Sequence, residues 1–158
     1  MMNVYRNAAR NWLNGTKWHV AATLTFSDET HEKCAEWLLK RFENEANTLI
    51  FKNTKREKRG GKRLELVTIQ ENNSIETNLH LHLAIRMPKE LGDDYELFCK
   101  FLAQLWKENC GKNFIAEFKT IHDSKGWIDY ITKGIIGNNC DSLNLYCSYI
   151  AAANLLIE

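Results

Sequence analysis

The stretch Leu79-His80-Leu81-His82-Leu83-Ala84-Ile85 decides how the rest of the chain is read. In a strand, successive side chains alternate between faces, so His80 and His82 share one face while Leu79, Leu81 and Leu83 share the other. Such a strand offers a ligand two imidazole nitrogens from one side and buries its back.

Working outward, residues 64–71 predict a second strand, joined to the first by a polar connection, residues 72–78, of hairpin length. Pro88 closes the pair. Upstream, Trp18-His19-Val20-Ala21-Ala22-Thr23-Leu24-Thr25-Phe26 is rich in β-branched and aromatic residues and predicts a strand. Ser27-Asp28 supplies N-cap chemistry for a helix in which Cys34, Trp37, Leu38, Phe42, Ala46 and Leu49 recur at helical spacing. Downstream, Tyr95, Phe98, Phe101, Leu102, Leu105 and Trp106 form an apolar stripe in a helix over 93–110, ended by Gly111. Residues 113–121 predict another strand, and Asp123-Ser124 opens a helix over 124–136. Residues 1–15 read as a short helix or arm ended by Asn14-Gly15.

After that first arm the order is β-α-β-β-α-β-α. It fits an α+β fold of the split β-α-β, ferredoxin-like kind, with a central antiparallel sheet of about four to five strands and helices packed on it. Residues 138–158 are apolar enough to pack as a further helix or strand. The 158 residues suit one domain with a core of its own, and no repeat or low-complexity tract breaks them.

A hydrophobic fraction of 44% and a charged fraction of 26% place the chain with globular proteins, against both disorder and a membrane protein. No apolar run approaches the roughly 18 residues of a membrane span, and Met1-Met2-Asn3-Val4-Tyr5-Arg6 lacks a signal peptide's apolar core, so the expected compartment is the cytoplasm. Cys34, Cys99, Cys110, Cys140 and Cys147 are odd in number with no C-x-x-C pair, and read as reduced and structural. The net charge is only +1, yet Lys52, Lys55, Arg56, Lys58, Arg59, Lys62 and Arg63 crowd one segment opposed by Glu57 alone. That run is either a solvated loop or a sequence-independent clamp on DNA phosphates.

For the histidine pair to bind a metal, a carboxylate must come within reach. Glu71 ends the preceding strand, and a hairpin of this length can set it beside His80 across the pair. Two imidazoles and a carboxylate leave open positions for water and phosphate oxygens, a donor set suited to Mg²⁺ or, with nitrogen ligands, Mn²⁺. A slip of one residue would turn Glu71 to the other face and leave Glu65, Gln70 or Glu76 in its place. On the helix over 124–136, Trp127, Ile131 and Ile135 can form the buried stripe, with Tyr130 and Lys133 one turn apart at its edge. A phenol and an ammonium there could address one phosphate. A free phenol titrates near about 10 and is a poor nucleophile at neutral pH, a barrier that a metal and a lysine would lower. Trp18 and Phe26 could stack bases or pack in the core. His19, His31 and His122 show no partner spacing.

His80-Leu81-His82 followed by Tyr130-Ile131-Thr132-Lys133 resembles the HUH endonucleases, in particular the single-tyrosine rolling-circle replication initiators (Rep proteins) of plasmids, phages and small single-stranded DNA viruses. Thr23-Leu24-Thr25-Phe26 is similar to their first motif, and the order of the three matches Rep proteins rather than relaxases. The resemblance covers residues 18–136. It implies a nickase and strand transferase for single-stranded or hairpin origin DNA: Tyr130 attacks the scissile phosphate and keeps a covalent 5′-phosphotyrosine, a metal (Mn²⁺ or Mg²⁺) on His80, His82 and Glu71 holds that phosphate, and Lys133 positions or neutralises it. No G-x-x-x-x-G-K-[ST] loop is present, so no helicase domain is expected, and unwinding falls to a host helicase, with a host polymerase extending the 3′-OH, or to the rest of a longer Rep. Two other readings fit the same residues: a single-tyrosine insertion-sequence transposase, and a non-catalytic ferredoxin-like nucleic-acid-binding module with incidental histidines.

Overall fold

The computed structural model describes residues 3–27, 30–52, 61–71, 79–110, 115–135 and 142–151. Along the chain run α1 (Val4–Asn14), β1 (Val20–Thr25), α2 (Glu32–Phe51), β2 (Leu66–Glu71), β3 (His80–Ile85), α3 (Tyr95–Cys110), β4 (Ile115–Thr120) and α4 (Ser124–Ile131), the last continued by a 3₁₀ turn, Thr132–Gly134. The strands form one sheet in the order β2-β3-β1-β4, and every neighbouring pair is antiparallel. Each β-α-β unit therefore leaves a gap that the other's strand fills, which is the split β-α-β arrangement expected from the sequence.

The two faces of the sheet bury different partners. One face offers Val20, Ala22 and Leu24 of β1, Leu66 of β2 and Leu81, Leu83 and Ile85 of β3 to α2 and α3, forming the larger core. Phe42 of α2 lies at its centre, edge-on to Trp106 of α3 at 5.4 Å between ring centroids. On the other face Val67, Ile69 and Ala84 meet Leu13, Trp18, Ile128 and Ile131, so α1 and α4 cover only part of the sheet. The β1 and β4 side of that face stays open: Ile115 is 74% exposed, and Glu117 pairs with Lys119 on the surface.

Local chemistry explains the differences from the sequence expectations. His31 caps α2 through Nδ1, which accepts from Lys33 N–H at 3.3 Å, so the helix begins later than a Ser27-Asp28 cap requires; Asp28 itself lies outside the described residues. The buried stripe of α2 is Ala35, Leu38, Leu39, Phe42 and Ala46, while Cys34, Trp37 and Leu49 face solvent. Helical spacing admitted both sets; the sheet's position selects one. The α4 helix stops at Ile131 and tightens, because Thr132 turns its hydroxyl back to donate to Ile128 C=O at 2.7 Å. Trp18 and Phe26 are both buried in the core, not available to bases. Cys99 and Cys147 are buried thiols, and with Cys34 and Cys110 they are free; Cys140 lies outside the described residues. No described helix is long and apolar enough to cross a membrane.

Residues 142–151 lie along the outer edge of β2. Tyr149 N–H donates to Leu66 C=O at 2.7 Å and Leu66 N–H to Tyr149 C=O at 3.0 Å, Gln70 N–H donates to Ser142 C=O at 2.6 Å, and Thr68 N–H donates to Ser148 Oγ at 2.9 Å. This short edge cover is the form taken by residues 142–151, the described part of the segment whose form the sequence left open.

Candidate metal and tyrosine site

The register of the sheet brings the first residues of the site together. Glu71 stands opposite His80, and His82 stands opposite Ile69, so Glu71, His80 and His82 share one face. The slip that would have turned Glu71 away does not occur: Gln70, opposite Leu81, takes the other face, and Glu65 pairs with Arg86 at 3.3 Å near the far end of β2. Glu76 lies outside the described residues.

His82 is buried, with 5% of its surface exposed, and Nε2 donates to Glu71 Oε2 at 2.6 Å. Burial holds its pKa below the ordinary imidazole value, against the opposing pull of the Glu71 carboxylate. On the other side of the strand pair, β1 sets Thr23 opposite His82 and Thr25 opposite His80. The hydroxyls reach the rings, Thr23 Oγ1 to His82 Nδ1 at 3.3 Å and Thr25 Oγ1 to His80 Nδ1 at 3.2 Å. The Nδ1 atoms of both rings are thus engaged by threonine hydroxyls, while Nε2 of His82 is taken by Glu71.

The α4 helix supplies the remaining groups. Asp123 caps it, accepting from Gly126 N–H at 2.9 Å, and a Cβ at position 126 would press on that carboxylate and make the cap shift. Ile128 and Ile131 anchor the helix in the second core, and Trp127 donates from Nε1 to Leu83 C=O at 3.1 Å. Tyr130 then projects beside the sheet, 47% exposed, with its ring edge-on to His82 at 5.6 Å and stacked on Trp127 at 5.5 Å. Lys133, in the 3₁₀ turn rather than in the α-helix expected for it, still lies one turn from Tyr130. Its Nζ sits 4.0 Å from the centroid of the Tyr130 ring and 3.6 Å from Glu71 Oε1. Glu71, His82, Tyr130 and Lys133 therefore form one contact network, with His80 beside it on the same face.

No family model, curated protein or solved structure matches the chain. The donor chemistry of the site is consistent with a hard to borderline divalent cation, since it comprises two imidazoles held through Nδ1 and one carboxylate. The direct His82–Glu71 bond holds two of those donors against each other, and among the described residues no three His, Cys, Asp or Glu side chains are already spaced as a metal cage.

The basic segment fares differently residue by residue. Lys55, Arg56, Lys58 and Arg59 lie outside the described residues. Lys52 ends α2 in a left-handed conformation, with φ of 55°. Lys62 pairs with Glu90 across a cleft of about 330 Å³, and Arg63 donates from Nε to the buried Glu43 at 2.7 Å while its guanidinium covers the Tyr149 ring at 4.7 Å. Arg63 is thus engaged inside the fold, sharing with Lys40 at 3.2 Å the neutralisation of a carboxylate that is 1% exposed. This cleft lies at the end of β2 and β3 away from Glu71 and His80.

Two further sets of residues contribute to the site. Thr23 and Thr25 were visible only as part of a motif, although their two-residue spacing matches that of His80 and His82. Arg6 and Arg10 meet Asp129 of α4, Arg10 Nη2 at 2.7 Å from Asp129 Oδ1, and no local pattern joins residues so far apart in sequence.

Proposed function

We propose that the chain is a metal-dependent, single-tyrosine DNA nicking and joining enzyme of the HUH kind, acting on single-stranded or hairpin DNA at a replication origin. The observation that carries this reading is the meeting of Tyr130 from α4 and Lys133 from the 3₁₀ turn after it with His82 and Glu71 from the sheet, 5.6 Å from ring to ring and 3.6 Å from ammonium to carboxylate.

Tyr130 gives its phenolic proton to water and its Oη attacks the scissile phosphorus in line; the P–O3′ bond breaks, the 5′-phosphate stays on the tyrosine, and the leaving 3′-oxygen takes a proton from water to become a 3′-OH. Lys133 offsets the negative charge that builds on the phosphoryl oxygens. His80, His82 and Glu71 would hold Mn²⁺ or Mg²⁺, which supplies Lewis-acid polarisation of that phosphate. His82 and Trp127 fix the Tyr130 ring from two sides. Because the phosphotyrosine conserves the bond energy, joining runs as the reverse attack by a 3′-OH and needs no ATP. A host helicase and polymerase are the partners this activity calls for.

The test is to incubate the protein with single-stranded origin DNA and Mn²⁺ and to look for a denaturation-resistant protein–DNA adduct. The adduct is expected with the unaltered chain and absent with Tyr130→Phe; an adduct formed equally by Tyr130→Phe would remove Tyr130 as the nucleophile. A second reading, a non-catalytic nucleic-acid-binding module, draws support from the closed His82–Glu71 bond and from the Trp127–Tyr130 stack beside an open sheet face. It predicts DNA binding without any adduct and without dependence on Mn²⁺.

A further inference from the structure

We propose that Thr23 and Thr25 are positioning residues that allow His80 and His82 to turn Nε2 toward a divalent cation, and that Thr23 does so by reversing its hydrogen bond. This rests on the proposed metal-site reading and adds to it how the site opens.

In a neutral imidazole one ring nitrogen carries the proton and the other accepts. Glu71, as a carboxylate, only accepts, so the 2.6 Å contact places the proton of His82 on Nε2. Nδ1 of His82 then accepts, and the Thr23 hydroxyl at 3.3 Å donates to it. A cation needs the Nε2 lone pair, which requires the other tautomer, with the proton on Nδ1. Nε2 gives one proton to water and Nδ1 takes one from water, so the ring keeps its charge. The hydroxyl must then accept where it had donated. Threonine can do both by rotating about its C–O bond, whereas a carbonyl or carboxylate at that place would hold Nδ1–H permanently.

Thr25 stands in the same relation to His80, at 3.2 Å, and the pairing has one geometric origin. Antiparallel register sets Thr23 against His82 and Thr25 against His80 as direct cross-strand neighbours on one face. A T-x-T in β1 and an H-x-H in β3 are therefore a single device, with a hydroxyl beneath each imidazole. Both threonines are half-buried.

Mn²⁺ binding to the full chain, measured by calorimetry, tests the assignment. Replacing Thr23 and Thr25 together by valine, which keeps shape and strand preference but no hydroxyl, is expected to weaken Mn²⁺ binding by about tenfold or more, and serine at both positions is expected to restore it. Ring ¹⁵N NMR supplies a measurement that needs no variant: His82 is expected as the Nε2–H tautomer without cation and the Nδ1–H tautomer with saturating Mg²⁺. The proposal is overturned if the valine pair binds Mn²⁺ like the unaltered chain while His80→Ala and His82→Ala lose it, or if His82 keeps its Nε2 proton under saturating Mg²⁺. If the unaltered chain does not bind Mn²⁺, or the alanine variants bind it undiminished, the metal-site reading itself fails and takes this proposal with it.

Discussion

Burial governs the two histidines that contact the interior of this protein. His19 stacks on Tyr95 at 4.6 Å and accepts from Met87 N–H through Nδ1, and His82 lies beneath Glu71 and Tyr130. Both have pKa values lowered from the ordinary 6.5, in each case first by desolvation; for His19 the charges of Lys17 and Arg86 add to it, and for His82 the Glu71 carboxylate opposes it. A group whose folded pKa lies below its unfolded value binds fewer protons in the folded state as pH falls through 6.5. Its contribution is therefore full above that value and is lost on acidification toward the folded pKa. Metal-free protein should lose thermal stability between about pH 7 and pH 5, and His19→Gln and His82→Gln should each flatten that decline. Melting temperatures measured across the range decide it, and slopes left unchanged by both substitutions would contradict the burial argument.

At the scale of elements, α4 is short and cannot be stable by its own hydrogen bonds. It is held by Ile128 and Ile131 below, by Trp127 on the β3 backbone, and by α1, whose Leu13 shares its core and whose Arg6 and Arg10 grip Asp129. Asn3 also donates from Nδ2 to Ile135 C=O at 2.6 Å, tying the start of α1 to the end of the tyrosine segment. Leu13→Ala should cost about 2–5 kcal/mol by urea unfolding; on the proposed reading it should also, under conditions where the protein remains folded, slow adduct formation while leaving Mn²⁺ affinity near its original value, because the proposed metal donors stand on the sheet and α1 braces only the tyrosine segment. Equal loss of both would show that the brace reaches the sheet.

This difference also explains what could be read in advance. Alternation in residues 79–85 decides which face each histidine takes, so that half of the site was legible; hairpin length brought Glu71 within reach but left a slip of one residue open, and only the pairing of Glu71 with His80 closes it. The dependence of Tyr130 on Leu13, Arg6 and Arg10 was not, since it arises from packing between residues remote in sequence. The true cap of α2 was missed for a related reason: Ser27 and Asp28 have better general cap chemistry than His31, and only the path of the chain after β1 selects the histidine.

For the molecule as a whole, the weak point of a four-stranded antiparallel sheet is its edges. The β4 edge strand carries Glu117 and Lys119 on its exposed face, charges that discourage pairing with another chain. The β2 edge has no such protection of its own, since Leu66, Val67, Thr68 and Ile69 are all buried. Its N–H and C=O groups are taken up by residues 142–151, and Thr68 Oγ1 also donates to Cys147 C=O at 2.7 Å. Cys147 fills the larger core from this segment, where burial pushes its thiol up to about 12. Leu143 and Ile150 reach the second core, so one stretch of chain closes both. Removing residues 136–158 should therefore leave the Glu71, His80 and His82 side chains in sequence yet expose an apolar strand edge beside them. The expected outcome is a lower melting temperature together with concentration-dependent self-association, read by light scattering after size-exclusion chromatography. Substituting lysine for Thr68 in the truncated chain should reduce that association, because a charge on the bare strand disfavours pairing with a second copy. A truncated chain that stays monomeric and melts like the full one would mean that β2 needs no cover.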